Sequence, residues 1–289
     1  MDIYRPASWS EALEVKRGAP ESVPLAGGTD LMVDLNFGRA RPQALLDLTR
    51  LAELAGWDRD NGRVRIGAGV TFTTLIAELA PELPGLAIAS RTVGSPQIRN
   101  RATLGGNLGT ASPAGDALPP LLAAGAEVEV ASAARSRRIP LEDFFIAPKV
   151  TALEGGELIA AIVVPVADGP QQYSKIGTRN AMVIATVSFA LALHPGRRRV
   201  GTGIGSAAPR PLRATEAEDF IGGVLAEHDL WSSGAPIPEP ASARFGELVA
   251  AAAQPIDDVR GTVAYRRHAL AVLARRTLAW AWSDYRSAA

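Results

Sequence analysis

A chain of 289 residues is too long for one small core and predicts two or three domains, with 47% hydrophobic and 21% charged residues as in ordinary globular proteins. Thirty basic residues balance thirty acidic ones, so no net field recruits nucleic acid or an anionic membrane. The absence of cysteine excludes disulfides, a cysteine nucleophile and a cysteine-ligated iron–sulfur cluster within the chain.

The N-terminus, Met-Asp-Ile-Tyr-Arg-Pro, lacks the charged and apolar regions of a signal peptide, and no apolar run reaches about 18 residues. A cytoplasmic location without membrane insertion is expected. Ser8-Trp9-Ser10-Glu11 is a capping box that opens a short helix through Ala12, Leu13 and Val15. Val23 to Leu25 reads as a strand, and Pro-Leu-Ala-Gly-Gly-Thr-Asp-Leu (24 to 31) then turns into a brief helix through Leu31, Met32 and Leu35. Strand, glycine turn and helix start together make an anion site, because unpaired N–H groups and the positive end of the helix dipole face whatever lies against Gly27, Gly28 and Thr29. The Asp30 carboxylate repels a phosphate there unless it turns aside to cap the helix.

Ala44 to Asp47 is the next strand, so the first 55 residues or so alternate strand and helix as a small parallel sheet requires. Asn61-Gly62 turns the chain into a strand from Arg63 to Ala68, followed by a helix through Leu75, Ile76 and Leu79. Gly67-Ala68-Gly69 fails the dinucleotide fingerprint because Phe72 stands at the third glycine position. Gly201-Thr202-Gly203-Ile204-Gly205 fails because Pro209 and Pro211 follow where a helix must start. Both runs are expected to be structural glycines.

Pro84 to Val93 forms another helix, and Ser95 to Asn100 leads into Thr103 to Asp116. That stretch packs four glycines, an asparagine, three hydroxyl side chains and one carboxylate into fourteen residues. Gly105, Gly106 and Gly109 let backbone amides approach a ligand, Thr103, Thr110 and Ser112 add hydroxyls, and Asp116 suits ribose hydroxyls. The structural alternative is a surface loop of turn residues.

Pro119 to Ala124 is a short helix, and Glu127 to Ala131 and Ile162 to Pro165 are strands of an antiparallel sheet. Asp168-Gly169-Pro170 marks the domain boundary. Strand-like segments follow at Tyr173 to Gly177, Val183 to His194 and Val200 to Ala207. The tail from Thr262 to Trp282 is helical, with Leu270, Leu273, Thr277 and Trp280 on one apolar stripe. Arg266 and Arg275 are half a turn out of phase, so this helix does not read nucleic acid. His194, His228 and His268 lack metal-ligand spacing, and neither a Gly-x-Ser-x-Gly nor a P-loop lysine motif occurs.

Ala-Gly-Gly-Thr-Asp-Leu at 26 to 31 and Thr-Leu-Gly-Gly-Asn-Leu at 103 to 108, about 75 residues apart, resemble the FAD-binding subunit of molybdenum hydroxylases, the group of xanthine dehydrogenase and aerobic carbon monoxide dehydrogenase. Ile98-Arg99-Asn100, Ala111 to Asp116, Tyr173 to Arg179, Asp258 to Gly261 and Tyr265-Arg266 extend the resemblance nearly end to end. It implies an α+β fold: a two-lobed FAD-binding domain of the PCMH type (1-170, lobes about 1-55 and 56-170), then a small C-terminal α+β domain (171-289) with a three-stranded sheet and a helix bundle. FAD is the implied cofactor. Its pyrophosphate is expected on Gly27, Gly28, Thr29 and the Gly105–Asn107 turn, with Leu25, Ala26, Asp30 and Leu31 flanking the first motif. Thr103, Thr110 and Ser112 are expected to bond the cofactor, Asp116 the ribose, and Val93, Ile98 and Ile159 to line the flavin. Lys175 is the expected cation near the ring.

The implied partners are a 2Fe-2S small subunit and a molybdenum-cofactor large subunit, between which and an unidentified external acceptor this chain relays electrons without catalytic residues of its own. Val93 replaces the aromatic residue, and Met182 the acid, of the NAD-linked relatives, which counts against NAD as acceptor. A free-standing flavoenzyme and a non-catalytic assembly subunit are the alternatives.

Overall fold

The computed structural model describes residues 1–288. The first lobe comprises β1 (Asp2–Tyr4), α1 (Trp9–Gly18), β2 (Val23–Leu25), α2 (Leu31–Asn36) and β3 (Ala44–Asp47). Its strands form a parallel sheet in the order β1-β3-β2, with the apolar β3 at the centre, as the alternation of strand and helix requires. Ser8 caps α1 by accepting from the Glu11 amide at 3.2 Å, and the Glu11 carboxylate accepts from the Ala7 amide at 2.7 Å.

The second lobe begins with β4 (Trp57–Asp60) and β5 (Arg63–Gly67), a hairpin turned by Asn61 at φ +49° and Gly62 at φ +74°. Then come α3 (Phe72–Glu78), α4 (Pro84–Arg91), α5 (Pro96–Arg99), α6 (Leu104–Thr110), α7 (Leu118–Ala124), β6 (Glu127–Ala131) and β7 (Ser136–Pro140). After α8 (Leu141–Phe144), the hairpin of β8 (Phe145–Ala147) and β9 (Val150–Thr151) leads to β10 (Leu158–Pro165). β10 is an unbroken apolar run because it is the central strand of the antiparallel sheet β4-β5-β10-β6-β7. Arg63 pairs with Glu127, and Arg65 with Glu129 at 2.7 Å, so two ion pairs span β10 on the more open face.

The remainder contains β11 (Gln171–Ile176), β12 (Val187–His194), β13 (Arg199–Gly205), α9 (Thr215–Glu227), α10 (Leu230–Ser233), α11 (Glu239–Ala252) and α12 (Val263–Ala288). Alternation along β12 serves two neighbours. Phe189, Leu191 and Leu193 pack with α9, α11 and α12, whereas Ala190 and Ala192 face Ala89 and Ala123 of the second lobe. That second face is small-sided so that α7 can lie close: a Cβ on Gly201 would stand 2.1 Å from the Ala123 carbonyl oxygen, and one on Gly203 2.0 Å from that of Pro119. These are strand glycines required by packing, as expected of the 201 to 205 run. Gly67 is also structural, its missing Cβ 2.3 Å from the Leu54 oxygen.

One expectation for α12 needs correcting. Trp280 is 49% exposed, and the apolar stripe runs from Leu270 through Leu273, Ala274 and Thr277 to Ala281. With about 100° of rotation per residue, position 280 falls outside the face centred between 274 and 281. Trp282 is the buried indole instead, its Nε1 donating to the Ala235 carbonyl at 2.9 Å. Arg266 is buried and donates to the Thr186 and Ser206 carbonyls and to Asp258, each at 2.6 Å. Among the described residues no helix is long and apolar enough to cross a membrane.

Candidate functional site

A cleft of about 730 Å³ lies between the two lobes. That volume falls within the roughly 300–1,000 Å³ usual for cofactor and small-molecule sites. The turn from β2 to α2 forms one wall. The segment after β5, the residues around α5 and α6, and Leu153 to Ile159 form the other.

Gly27, Gly28, Thr29 and Asp30 make the first wall's turn. Among the described residues, none of their four backbone N–H groups has a hydrogen-bond partner. Each glycine there has its own reason. A Cβ on Gly27 would stand 2.0 Å from the Arg101 carbonyl oxygen, so this position is where the lobes touch. Gly28 sits at φ +76°, a left-handed conformation that side chains disfavour. The Asp30 side chain does not cap α2; its Oδ2 accepts the Thr110 hydroxyl at 2.8 Å, tying the lobes together across the cleft.

The second glycine segment folds differently from the expected loop. Leu104 to Thr110 is a helix, capped by the Thr103 hydroxyl, which accepts from the Gly106 amide at 3.0 Å. Its first-turn amides are already bonded: Leu104 to the Val70 carbonyl, Gly105 to that of Ala68, and Asn107 to that of Thr103. Gly105 is glycine because a Cβ would stand 2.5 Å from the Ala68 Cβ. Gly106 has no such neighbour: the only heavy atom near its missing Cβ is the Thr103 Oγ1 at 2.9 Å. It is a recess in the cleft wall that a side chain would fill. Asn107 beside it holds a buried Oδ1 without a partner.

Of the expected site residues, Leu25, Ala26, Gly27, Gly28, Thr29, Asp30, Leu31, Val93, Ile98, Thr103, Gly105, Gly106, Asn107, Thr110 and Ile159 all line this cleft. Ser112, Asp116 and Lys175 do not. Ser112 instead accepts from the Ala114 amide in a local turn at 3.2 Å. Asp116, expected at the ribose, lies outside the lining and is bonded within the protein. It is 9% exposed, its Oδ1 accepts the Tyr173 hydroxyl at 2.8 Å, and its Oδ2 accepts the Lys175 ammonium at 2.6 Å and the Thr92 hydroxyl at 3.3 Å. Burial pushes the Asp116 carboxyl above its ordinary range and the Tyr173 phenol well above its own. Lys175 also donates to the Thr92 carbonyl at 3.1 Å, which places this ion pair directly behind cleft-lining Val93. Met182 is 56% exposed, at φ +49°, and is not part of the lining.

Sequence reasoning missed several lining residues. Ala68, Gly69, Thr71 and Phe72 enter the wall because Gly105 packs on Ala68. Glu157, beside Ile159, is held by Arg137 at 2.8 Å, whose hydrogen bonds keep the Glu157 carboxyl below the usual range. Lys16 also lines the cleft, with its ammonium bound to the Pro20 and Ser22 carbonyls at 2.5 and 2.8 Å. Their pairing partners lie far away in sequence or on loops, so no local motif marks them.

A two-lobed α+β domain holding a cleft with unpaired amides, joined to a sheet-and-helix domain, is an architecture that binds an anionic cofactor or small molecule between its lobes. Residues 1–167 match the family described as the FAD binding domain in molybdopterin dehydrogenase, and 172–281 match the CO dehydrogenase flavoprotein C-terminal domain. The chain belongs to this family of FAD-binding flavoprotein subunits, and it is an oxidoreductase component with FAD as its cofactor. It is 33% identical to the xanthine dehydrogenase FAD-binding subunit of Escherichia coli O157:H7, over 74% of this chain and 77% of that one. It is 32% identical to the carbon monoxide dehydrogenase medium chain of Afipia carboxidovorans, over 96% and 95%. A crystal structure of Cu,Mo-CO dehydrogenase superposes with a TM-score of 0.89 at 29% identity, covering 98% of each chain.

Proposed function

We propose that this chain is the electron-transfer subunit of a heteromeric molybdenum hydroxylase, carrying FAD in the cleft between its lobes. The observation that carries the placement is the turn of four unpartnered amides, Gly27 to Asp30, facing that cleft. These N–H groups hold the pyrophosphate, each charge-assisted bond contributing about 1.5–3 kcal/mol. The recess at Gly106 admits the cofactor against α6, with the Thr103 hydroxyl at its edge. Val93, Ile98 and Ile159 give the ring an apolar lining that excludes water. When bound, the flavin supplies one- and two-electron chemistry. Lys175, the expected cation, is held in an ion pair with Asp116 outside the lining, so its charge is largely balanced before it reaches the ring.

The chain holds no cysteine, so iron–sulfur centres belong to a partner. We place it with a 2Fe-2S small subunit that delivers electrons and a molybdenum-cofactor large subunit that oxidises the substrate, all in the cytoplasm. The FAD domain spans 1-170 and the C-terminal domain 171-289, joined where α7 packs on β13. An acceptor other than NAD fits Val93 in the lining.

Absorbance between about 350 and 500 nm tests the placement. The purified chain retains stoichiometric flavin, and Gly106→Leu loses it while keeping its fold. Retention of flavin by Gly106→Leu at the wild-type level contradicts it.

A further inference from the structure

We propose that Arg101 supplies the guanidinium that meets the pyrophosphate of the bound dinucleotide. The inference rests on the placement of that pyrophosphate at Gly27 to Asp30.

The site as described so far has a charge problem. Backbone amides carry only partial charges, the first-turn amides of α6 are already bonded, and Asp30 adds a negative charge at the same turn. A pyrophosphate diester buried there needs a cation. Three basic residues line the cleft: Lys16, Arg101 and Lys149. The Lys16 ammonium is occupied by the Pro20 and Ser22 carbonyls. Lys149 sits at the tip of the β8–β9 hairpin, where its amide donates to the Ala111 carbonyl just past α6. Arg101 is the one whose backbone touches the amide turn, through the contact between its carbonyl and Gly27.

Its side chain is exposed and, among the described residues, makes no ion pair or hydrogen bond. Arg99, two residues earlier, shows the contrast. Its Nη1 donates to the Arg91, Val93 and Gly94 carbonyls at 3.2, 3.0 and 3.3 Å and so braces the turn behind Val93. A planar fork suits two phosphate oxygens at once, and a guanidinium sheds its water more cheaply than an ammonium. Arg101 is therefore a binding residue without a structural duty, which makes it separable from the fold.

The test uses the full chain freed of flavin, titrated with FAD and with riboflavin, which has no phosphate, by quenching of flavin fluorescence. Arg101→Gln is expected to weaken FAD about tenfold or more. Arg101→Glu is expected to weaken it further, and added NaCl to weaken wild type more steeply than Arg101→Gln. Riboflavin affinity and the melting temperature of the flavin-free chain stay at wild-type values. Wild-type FAD affinity in both variants overturns the proposal, as does an equal loss for FAD and riboflavin. Gly28→Val in the same titration separates the two ideas. If it loses FAD while the Arg101 variants keep it, the amide turn stands and Arg101 falls. If it binds FAD normally, the placement of the pyrophosphate falls first.

Discussion

The segments around Gly27-Gly28 and Gly105-Gly106 look alike in sequence, each a glycine pair followed by a polar residue and opening a short helix, yet they do different work. The first leaves four amides unpaired at the cleft. The second spends its amides on Val70, Ala68 and Thr103 and uses Gly105 to seat α6 against the strand-to-helix connection at Ala68. The first pair thus exposes backbone donors while its Gly27 also lets backbones pack, whereas the second serves packing through Gly105, with its amides already bonded. The surroundings set the difference: Gly28 has only the Leu25 and Met32 side chains near it, at 3.4 Å, whereas Gly105 meets backbone at 2.6 Å.

The strongest challenge to this contrast comes from Gly27→Val. Gly27 is crowded by the Arg101 carbonyl as well as facing the cleft, so its loss damages fold and cofactor binding together. Destabilisation of about 3 kcal/mol or more is expected, with loss of flavin, in chemical denaturation and absorbance. Gly105→Ala next separates the two roles. It costs about 1–3 kcal/mol of stability through the clash at Ala68, while the fraction that remains folded binds FAD within a few-fold of wild type. A loss of FAD far exceeding the loss of stability reverses the assignment. Thr103→Ala removes the α6 cap and costs about 1 kcal/mol by thermal melting.

Acid, in contrast, acts on the scaffold beneath both segments. Hydrogen bonds from Arg65 and Arg137 hold the Glu129 and Glu157 carboxyls below their usual range. Because these folded-state values are lowered, the stability they contribute is complete above the ordinary glutamate value of about 4.3 and is lost as pH falls through the lowered ones. Melting temperature and flavin retention are expected to fall together below about pH 4.5. Asp30→Asn is the smallest change. It removes a charge beside the free amides while still accepting from Thr110, and tightens FAD by about 0.3–1 kcal/mol in titration.

Local signals made much of the fold legible. The Ser8 capping box, the Asn61-Gly62 turn and the apolar run of β10 each carry their own periodicity or turn chemistry, and each appears in the structure. β7, Ser-Arg-Arg-Ile-Pro, is hidden by charge because it is an edge strand, and α9 carries the helix-weakening pair Gly222-Gly223 inside it. In the site, the residues on the two motifs reach the cleft because local geometry puts them there. Asp116 and Lys175 do not, since their burial depends on Tyr173 and Thr92, partners that no spacing along the chain reveals. The helical state of residues 104 to 110 was equally hidden: glycines read as loop, and only the Thr103 cap and the packing on Ala68 hold them in a helix.

Amide hydrogen exchange, resolved by residue and compared between the flavin-free and FAD-loaded chain, tests the central contrast most directly. Protection gained on FAD binding at Gly27, Gly28, Thr29 and Asp30, with little change at Leu104 to Asn107, is the predicted result. Protection gained chiefly at Leu104 to Asn107, with Gly27 to Asp30 still exchanging freely, contradicts it.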